Sequence, residues 1–234
     1  MNMKVLKWIA IVTMTIDHIG GYLLPQGSVI QLVFRSIGRI AYPLFALMIA
    51  EGYRHSHDVR KYLLRLLAAA LAVEAGMVIL YFATGINYLI TINVFWPLVF
   101  GLGSLMLLGQ RRWYLQILVL PLLLGSLFLE ISYGLYGVLL IIAFGLIQNK
   151  WQRIAGFLLI CFIFINWPLL DLLGWQAAPS NRIYHEWIQW FSVLALVPIT
   201  LYNGRLGHFN KWLFYLYYPI HLGIILIIQF LITY

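Results

Sequence analysis

Charge is scarce in this sequence. Only 9% of its 234 residues are Asp, Glu, Lys or Arg, and just 7 are acidic. A water-soluble domain carries roughly 25% charged residues, so this chain cannot cover a water-facing surface. Cysteine is scarcer still. The one thiol, Cys161, lies inside an apolar run. A disulfide within the chain and a cysteine-based metal site are thereby excluded, and Cys161 reads as a buried apolar side chain. Internal repeats and polar linkers are lacking as well. The first apolar segment has no small-residue cleavage site and is expected to stay in the mature protein. A single domain spanning 1–234 is expected.

What is abundant is apolar surface. The chain is 63% hydrophobic, with a mean hydropathy of +0.92. Aromatic residues reach 16%, and many sit near segment ends, as interfacial belts do. A helix needs about 20 apolar residues to cross the hydrocarbon core. That window predicts an all-α, polytopic bundle of about nine spans, at about 5–24, 29–53, 61–83, 88–109, 113–132, 134–148, 152–173, 186–203 and 210–232. Basic residues set the orientation. With the N-terminus inside, the inner segments hold Lys4, Lys7, Arg54, Arg60, Lys61, Arg65, Arg111, Arg112, Lys150, Arg153, Arg205 and Lys211, and the outer loops hold only Arg182. The C-terminus is then expected outside. The net charge of +8 reports basic cytoplasmic loops and requires no nucleic acid.

An ionisable group at the centre of a spanning helix costs about 2.5–3.5 kcal/mol, so such groups face the bundle interior. Here they are Asp17, His18, Arg35, Arg39, Glu51, Glu74 and His221. At about 1.5 Å per residue, His18, Arg39 and His221 fall at one depth, and Glu74 lies somewhat further out. Arg35 sits one turn from Arg39 on the same face. Both signs in one band indicate either a polar cavity or a structural ion-pair network. In the network, Asp17 takes Arg35 or Arg39 and Glu74 takes the other. His18 differs because an imidazole exchanges a proton near neutrality. Asp17 and His18 are adjacent, hence about 100° apart on a helix, and do not face each other.

Further features are less specific. Gly20 and Gly21 leave room above the histidine for a close helix or a substrate. Tyr217-Tyr218-Pro219 predicts a bend beside His221. Asn93 reads as a bridge between helices or as part of a site. Glu130, Asp171 and Glu186 fall near outer helix ends, where they are solvated or line an acceptor entrance. In His55-Ser56-His57-Asp58 the histidines lie on opposite helix faces in a basic loop, so no metal is expected.

The stretch KVLKWIAIVTMTIDHIGGYLLP, followed by FRSIGRIAYPLFALMIAEGYRHSHDVRKYLLRLLAAALAVE, resembles the TraX family of membrane proteins, typified by a conjugation-associated pilin N-acetylase. The likeness is strongest over residues 4–75 and returns in KWLFYLYYPIHLG, Lys211 to Gly223. It is carried by Asp17-His18-Ile19-Gly20, Arg35, Gly38-Arg39, Pro43, Glu51-Gly52, Arg60-Lys61-Tyr62 with Arg65, Glu74, Tyr215, Pro219 and His221. The family is similar in turn to a larger group of membrane acyltransferases whose first helix carries Arg, ten residues, then His. Lys7 and His18 have that spacing here, with Lys in place of Arg.

The resemblance implies transfer of an acetyl or similar acyl group from cytoplasmic acyl-CoA, without a metal, by a multi-pass protein of a bacterial inner membrane. The implied acceptor lies on the outer side and is a sugar, a lipid or a protein amine. His18 is implied as base or acyl carrier, with Asp17, Arg35, Arg39, Glu74 and His221 around it. Polyanionic CoA would meet Lys7 and the inner cluster of Arg54, His55, Arg60, Lys61 and Arg65. That cluster is also the ordinary basic signal of a cytoplasmic side. A proton-coupled transporter and a non-catalytic scaffold are the alternatives. The absence of internal repeats counts against the first, and a mid-membrane histidine against the second.

Overall fold

The computed structural model describes residues 1–85, 93–129, 131–165, 188–207, 209 and 211–233. Among them the regular elements are helices. They are α1 (Met3–Tyr22), α2 (Val29–Gly38), α3 (Ala41–His55), α4 (Val59–Thr84), α5 (Phe95–Leu108) and α6 (Trp113–Ile117). After these come α7 (Val119–Phe128), α8 (Gly134–Leu146), α9 (Lys150–Ile165), α10 (Leu196–Leu201) and α11 (Lys211–Thr233), with a 3-10 helix at Trp190–Ala195 leading into α10.

Helix starts follow local chemistry. The first amides of a helix lack intrahelical partners, and a short polar side chain satisfies one of them. Asn2 accepts from the Val5 amide, Ser28 from Gln31 and Asp58 from Lys61. The Lys61 main-chain amide holds the Asp58 carboxyl below the usual carboxylate range. At the far end of α4, Gly85 adopts the left-handed conformation that closes a helix, with φ 69°.

Among the described residues, three stretches are long and apolar enough to cross a membrane: Val29–His55, which joins α2 to α3, Val59–Thr84 and Phe214–Ile232. They coincide with the expected second, third and ninth spans. α1 holds 20 residues. The expected fifth span is divided into α6 and α7, and α5, α8 and Trp190–Leu201 are apolar but shorter than a full crossing. Large apolar side chains face outward, with Phe82 81%, Leu231 72% and Ile232 75% exposed. Isolated exposed apolar residues are normal in water, but helix faces this apolar suit a lipid surround.

The chain forms two compact units, Met1–Phe45 with Asn149–Tyr234, and Ala46–Gln148. In the first, α1 packs against both α2 and α11. Asp17 meets Gly38 and Arg39 while Gly20 meets Phe34, so α1 and α2 run antiparallel. Lys7 meets Phe214, Thr15 meets Tyr217 and His18 meets His221, so α1 and α11 run parallel. Two glycines permit the close approach of α1 to α2. A Cβ on Gly20 would overlap Phe34, and one on Gly38 would overlap the Asp17 side chain. The room at Gly20 and Gly21 is thus taken by α2, through Phe34 and Arg35. The start of α1 is tied to the segment before α11. The Met1 ammonium donates to the Leu201 carbonyl at 2.8 Å, and the Met3 amide to the Arg205 carbonyl at 2.8 Å.

In the second unit α5 packs on α4, α7 and α8. Gly101 of α5 lies against Ile141, and Gly145 in the last turn of α8 lies against Leu105.

Candidate functional site

Asp17 is buried on the α2 side of α1. Its carboxylate accepts from Arg35 Nη1 and from Arg39 Nη2, each at 2.7 Å. Arg35 and Arg39 are four residues apart on one helical course, which is why both reach the same carboxylate. The planar guanidinium suits such buried pairing. Arg39 is also held by the Arg35 carbonyl at 3.3 Å and by Gln189 Oε1 at 3.4 Å. Arg35 is less committed: among the described residues, its Nε and Nη2 have no hydrogen-bond partner. Among the described residues this cluster sets one carboxylate against two guanidinium groups.

His18 points elsewhere, toward α11. Its Nδ1 lies 2.7 Å from His221 Nε2. The ring centroids are 5.0 Å apart and the planes 18° from parallel. A nitrogen contact that short at that centroid distance means the rings meet edge to edge and nearly coplanar, not face over face. His221 is buried and fixed on several sides. Its Nδ1 lies 2.7 Å from the Tyr217 carbonyl, the Tyr217 ring stacks on it at 4.8 Å, and the Tyr218 ring meets it edge-on at 5.5 Å. Tyr217 is itself held to α1 by its hydroxyl, 2.7 Å from Thr15 Oγ1. Tyr22 and Tyr218 flank the His18 ring. The adjacent pair Asp17-His18 therefore serves two different contacts, one to α2 and one to α11.

Lys7 lies eleven residues before His18, about three turns and roughly 16 Å down the same face of α1. Its ammonium sits 4.9 Å from the Phe209 ring and 5.9 Å from that of Phe214. Among the described residues it has no carboxylate partner.

The remaining expected donor-side residues lie in the second unit and divide in two. Arg54 donates to Glu51 at 2.5 Å and to the carbonyls of Phe144 and Gly145. The last carbonyls of a helix lack intrahelical donors, so Arg54 caps α8. His55 Nδ1 donates to the Glu51 carbonyl at 2.9 Å, within its own helix. Arg60 and Lys61 are exposed on the first turn of α4, Lys61 in a surface pair with Asp58 at 3.3 Å. Arg65 lies with its guanidinium 5.9 Å from the Tyr62 ring, and its buried Nε has no partner among the described residues.

Glu74 has a partner other than an arginine. Its Oε2 accepts from the Asn93 side chain, which also donates to the Ala70 carbonyl at 2.9 Å. Asn93 Oδ1 in turn accepts from the Phe95 amide at 3.0 Å, opening α5. The expectation that Glu74 takes the arginine left by Asp17 is not met among the described residues, where Asp17 pairs with both arginines and Glu74 with Asn93. Glu130, Asp171 and Glu186 lie outside the described residues. The sequence reading missed Gln189 and Thr15. Thr15 is signalled by its place one turn before His18, whereas Gln189 reaches Arg39 across 150 residues and has no local signal.

Residues 2–229 match the family described as TraX protein. The chain belongs to the TraX family. A probable fimbrial assembly protein, FimC of serogroup H1, from Dichelobacter nodosus is 28% identical over 232 residues, covering 94% of this chain and 92% of that protein. No solved structure matches. Of the positions that carry the TraX likeness, Asp17, His18, Arg35, Gly38, Arg39 and His221 form one contiguous cluster in the first unit.

Proposed function

We propose that this TraX-family chain is an integral membrane acyltransferase. It moves an acetyl or similar acyl group from cytoplasmic acyl-CoA to an amine or hydroxyl of the cell envelope. The observation that carries this reading is the His18 ring. It is locked by His221 at one nitrogen, its other nitrogen has no partner among the described residues, and it lies beside the cluster of Asp17, Arg35 and Arg39. His18 takes the proton of the acceptor as the acceptor's lone pair bonds to the acyl carbon. Arg35 offers its remaining donors to the oxyanion that develops there. His18 then returns the proton to sulfur as the carbon–sulfur bond breaks, giving acylated acceptor and the free CoA thiol. A histidine in this position also suits the covalent variant, in which the ring nitrogen itself carries the acyl group. The name of the Dichelobacter relative makes a fimbrial subunit amine one acceptor class to test.

The parallel course of α1 and α11 supports an odd number of spans, and basic residues favour a cytoplasmic N-terminus. Nine spans in a bacterial inner membrane, with the C-terminus outside, is the arrangement we propose. Within the second unit, Arg60, Lys61 and Arg65 are the cations of the expected donor cluster left to meet CoA phosphates, since Arg54 is engaged by Glu51 and α8. Replacing Arg60 and Arg65 together with alanine is expected to raise KM for acyl-CoA about tenfold or more, on the strength of charge-assisted hydrogen bonds. An unchanged KM would remove these residues from the donor site. The function itself is tested with purified protein in liposomes, radiolabelled acetyl-CoA and an envelope extract. Label is expected in an envelope component; labelling no higher than in protein-free liposomes would overturn the proposal.

A further inference from the structure

The two-histidine contact has a direction. His221 Nδ1 lies 2.7 Å from the Tyr217 carbonyl oxygen. A carbonyl oxygen only accepts, so Nδ1 carries the hydrogen. A neutral imidazole has a single N–H, so His221 Nε2 presents a lone pair. Facing it at 2.7 Å is His18 Nδ1. Two lone pairs would repel at that distance, so His18 Nδ1 donates. The lone pair of His18 is then on Nε2, which has no hydrogen-bond partner among the described residues. A histidine side chain in water favours the opposite form, with hydrogen on Nε2, so the site imposes a tautomer that the residue does not choose by itself.

We propose that His221 is a positioning residue that holds His18 in the Nδ1–H tautomer and makes Nε2 its basic and nucleophilic atom. The chain of bonds runs from His18 Nδ1–H to His221 Nε2, and from His221 Nδ1–H to the Tyr217 carbonyl. Near-coplanar rings aim each hydrogen at the next lone pair. The Tyr217 and Tyr218 rings and the Thr15–Tyr217 bond keep His221 from turning. The arrangement also disperses a proton. When Nε2 gains one, the Nδ1 hydrogen can cross to His221 Nε2. His18 is then neutral with hydrogen on Nε2, and His221 is an imidazolium donating to Tyr217 and to His18. The reverse shift returns that hydrogen to His18 Nδ1 and frees Nε2 to give its proton up. Asp17 takes no part, because its carboxylate is turned to Arg35 and Arg39. What Nε2 does for a substrate rests on the proposed acyl transfer; the tautomer itself does not.

The test is nitrogen NMR of the full chain with isotope-labelled histidine in lipid nanodiscs, the His18 signals assigned by their loss in His18→Ala. At neutral pH His18 is expected to carry its hydrogen on Nδ1. His221→Gln, whose amide oxygen can accept in place of Nε2, is expected to keep that form. His221→Leu is expected to shift His18 to the Nε2–H form. Hydrogen on His18 Nε2 in the unaltered protein overturns the inference without any variant. A tautomer indifferent to His221→Leu in a folded sample overturns it too. Acyl transfer is assayed in the same samples. Transfer with an indifferent tautomer sinks this inference and leaves the function standing, whereas a tautomer that follows residue 221 without transfer does the reverse.

Discussion

Asp17→Asn is expected to lower the unfolding free energy by about 3–5 kcal/mol, the usual cost of stripping one partner from a buried ion pair. The asparagine matches the carboxylate in size, so its packing against Gly38 is kept and the change isolates charge. What remains are two guanidinium groups, on Arg35 and Arg39, that have lost the carboxylate they shared. The asparagine oxygen can still accept, which restores only part of the hydrogen bonding. The same reasoning predicts recovery when Asp17, Arg35 and Arg39 are exchanged together for apolar residues of similar volume, because apolar replacement of a buried ion network is often neutral or stabilising. Chemical unfolding in mild detergent measures both. An Asp17→Asn variant as stable as the unaltered protein would show that the triad does not hold α1 to α2.

Arg54→Ala is expected to cost a similar amount, about 3–5 kcal/mol, by the same mechanism. Glu51 is buried, with 6% of its surface exposed, and one of its carboxylate oxygens pairs with Arg54 at 2.5 Å. His55 Nδ1 lies 3.7 Å from the other carboxylate oxygen, too far to replace it. The alanine also strips the Phe144 and Gly145 carbonyls of the donor that caps α8. Unfolding should begin nearer ambient conditions, and KM for acyl-CoA measured on the folded fraction should not change. A stable Arg54→Ala protein with a raised KM would return Arg54 to the donor site.

Much of the first unit was legible in the sequence because short-range helix geometry decides it. Residues one apart on a helix diverge, which separates Asp17 from His18. Residues four apart converge, which brings Arg35 and Arg39 to one partner. The sequence left open whether that partner was shared with Glu74. Nothing local distinguishes one intramembrane carboxylate from another, and the pairing is settled by the bare Gly38 surface that admits Asp17. Arg54 illustrates a different limit. A lysine or arginine at the end of an apolar helix has the same sequence appearance whether it binds an anion, meets lipid headgroups or caps a neighbouring helix.

Span lengths were read less well where proline intervenes. Pro121 offers no amide to the Ile117 carbonyl and its ring crowds that group, which accounts for the break between α6 and α7 near Leu118. Pro97 lies in the first turn of α5, a position proline tolerates, and the described helix begins at Phe95. Both signals were present in the sequence, but a window of about 20 apolar residues passes over them.

The most direct test of the account is the rate of CoA thiol release by His18→Ala beside that of the unaltered protein, each normalised to folded protein by its unfolding curve. His18 makes its contacts to α11 and takes no part in the Asp17 triad, so the variant is expected to fold with the α1–α2 contact intact. The account predicts acyl-CoA-dependent thiol release by the unaltered protein and none above background by folded His18→Ala. Release at the unaltered rate by that variant would contradict it.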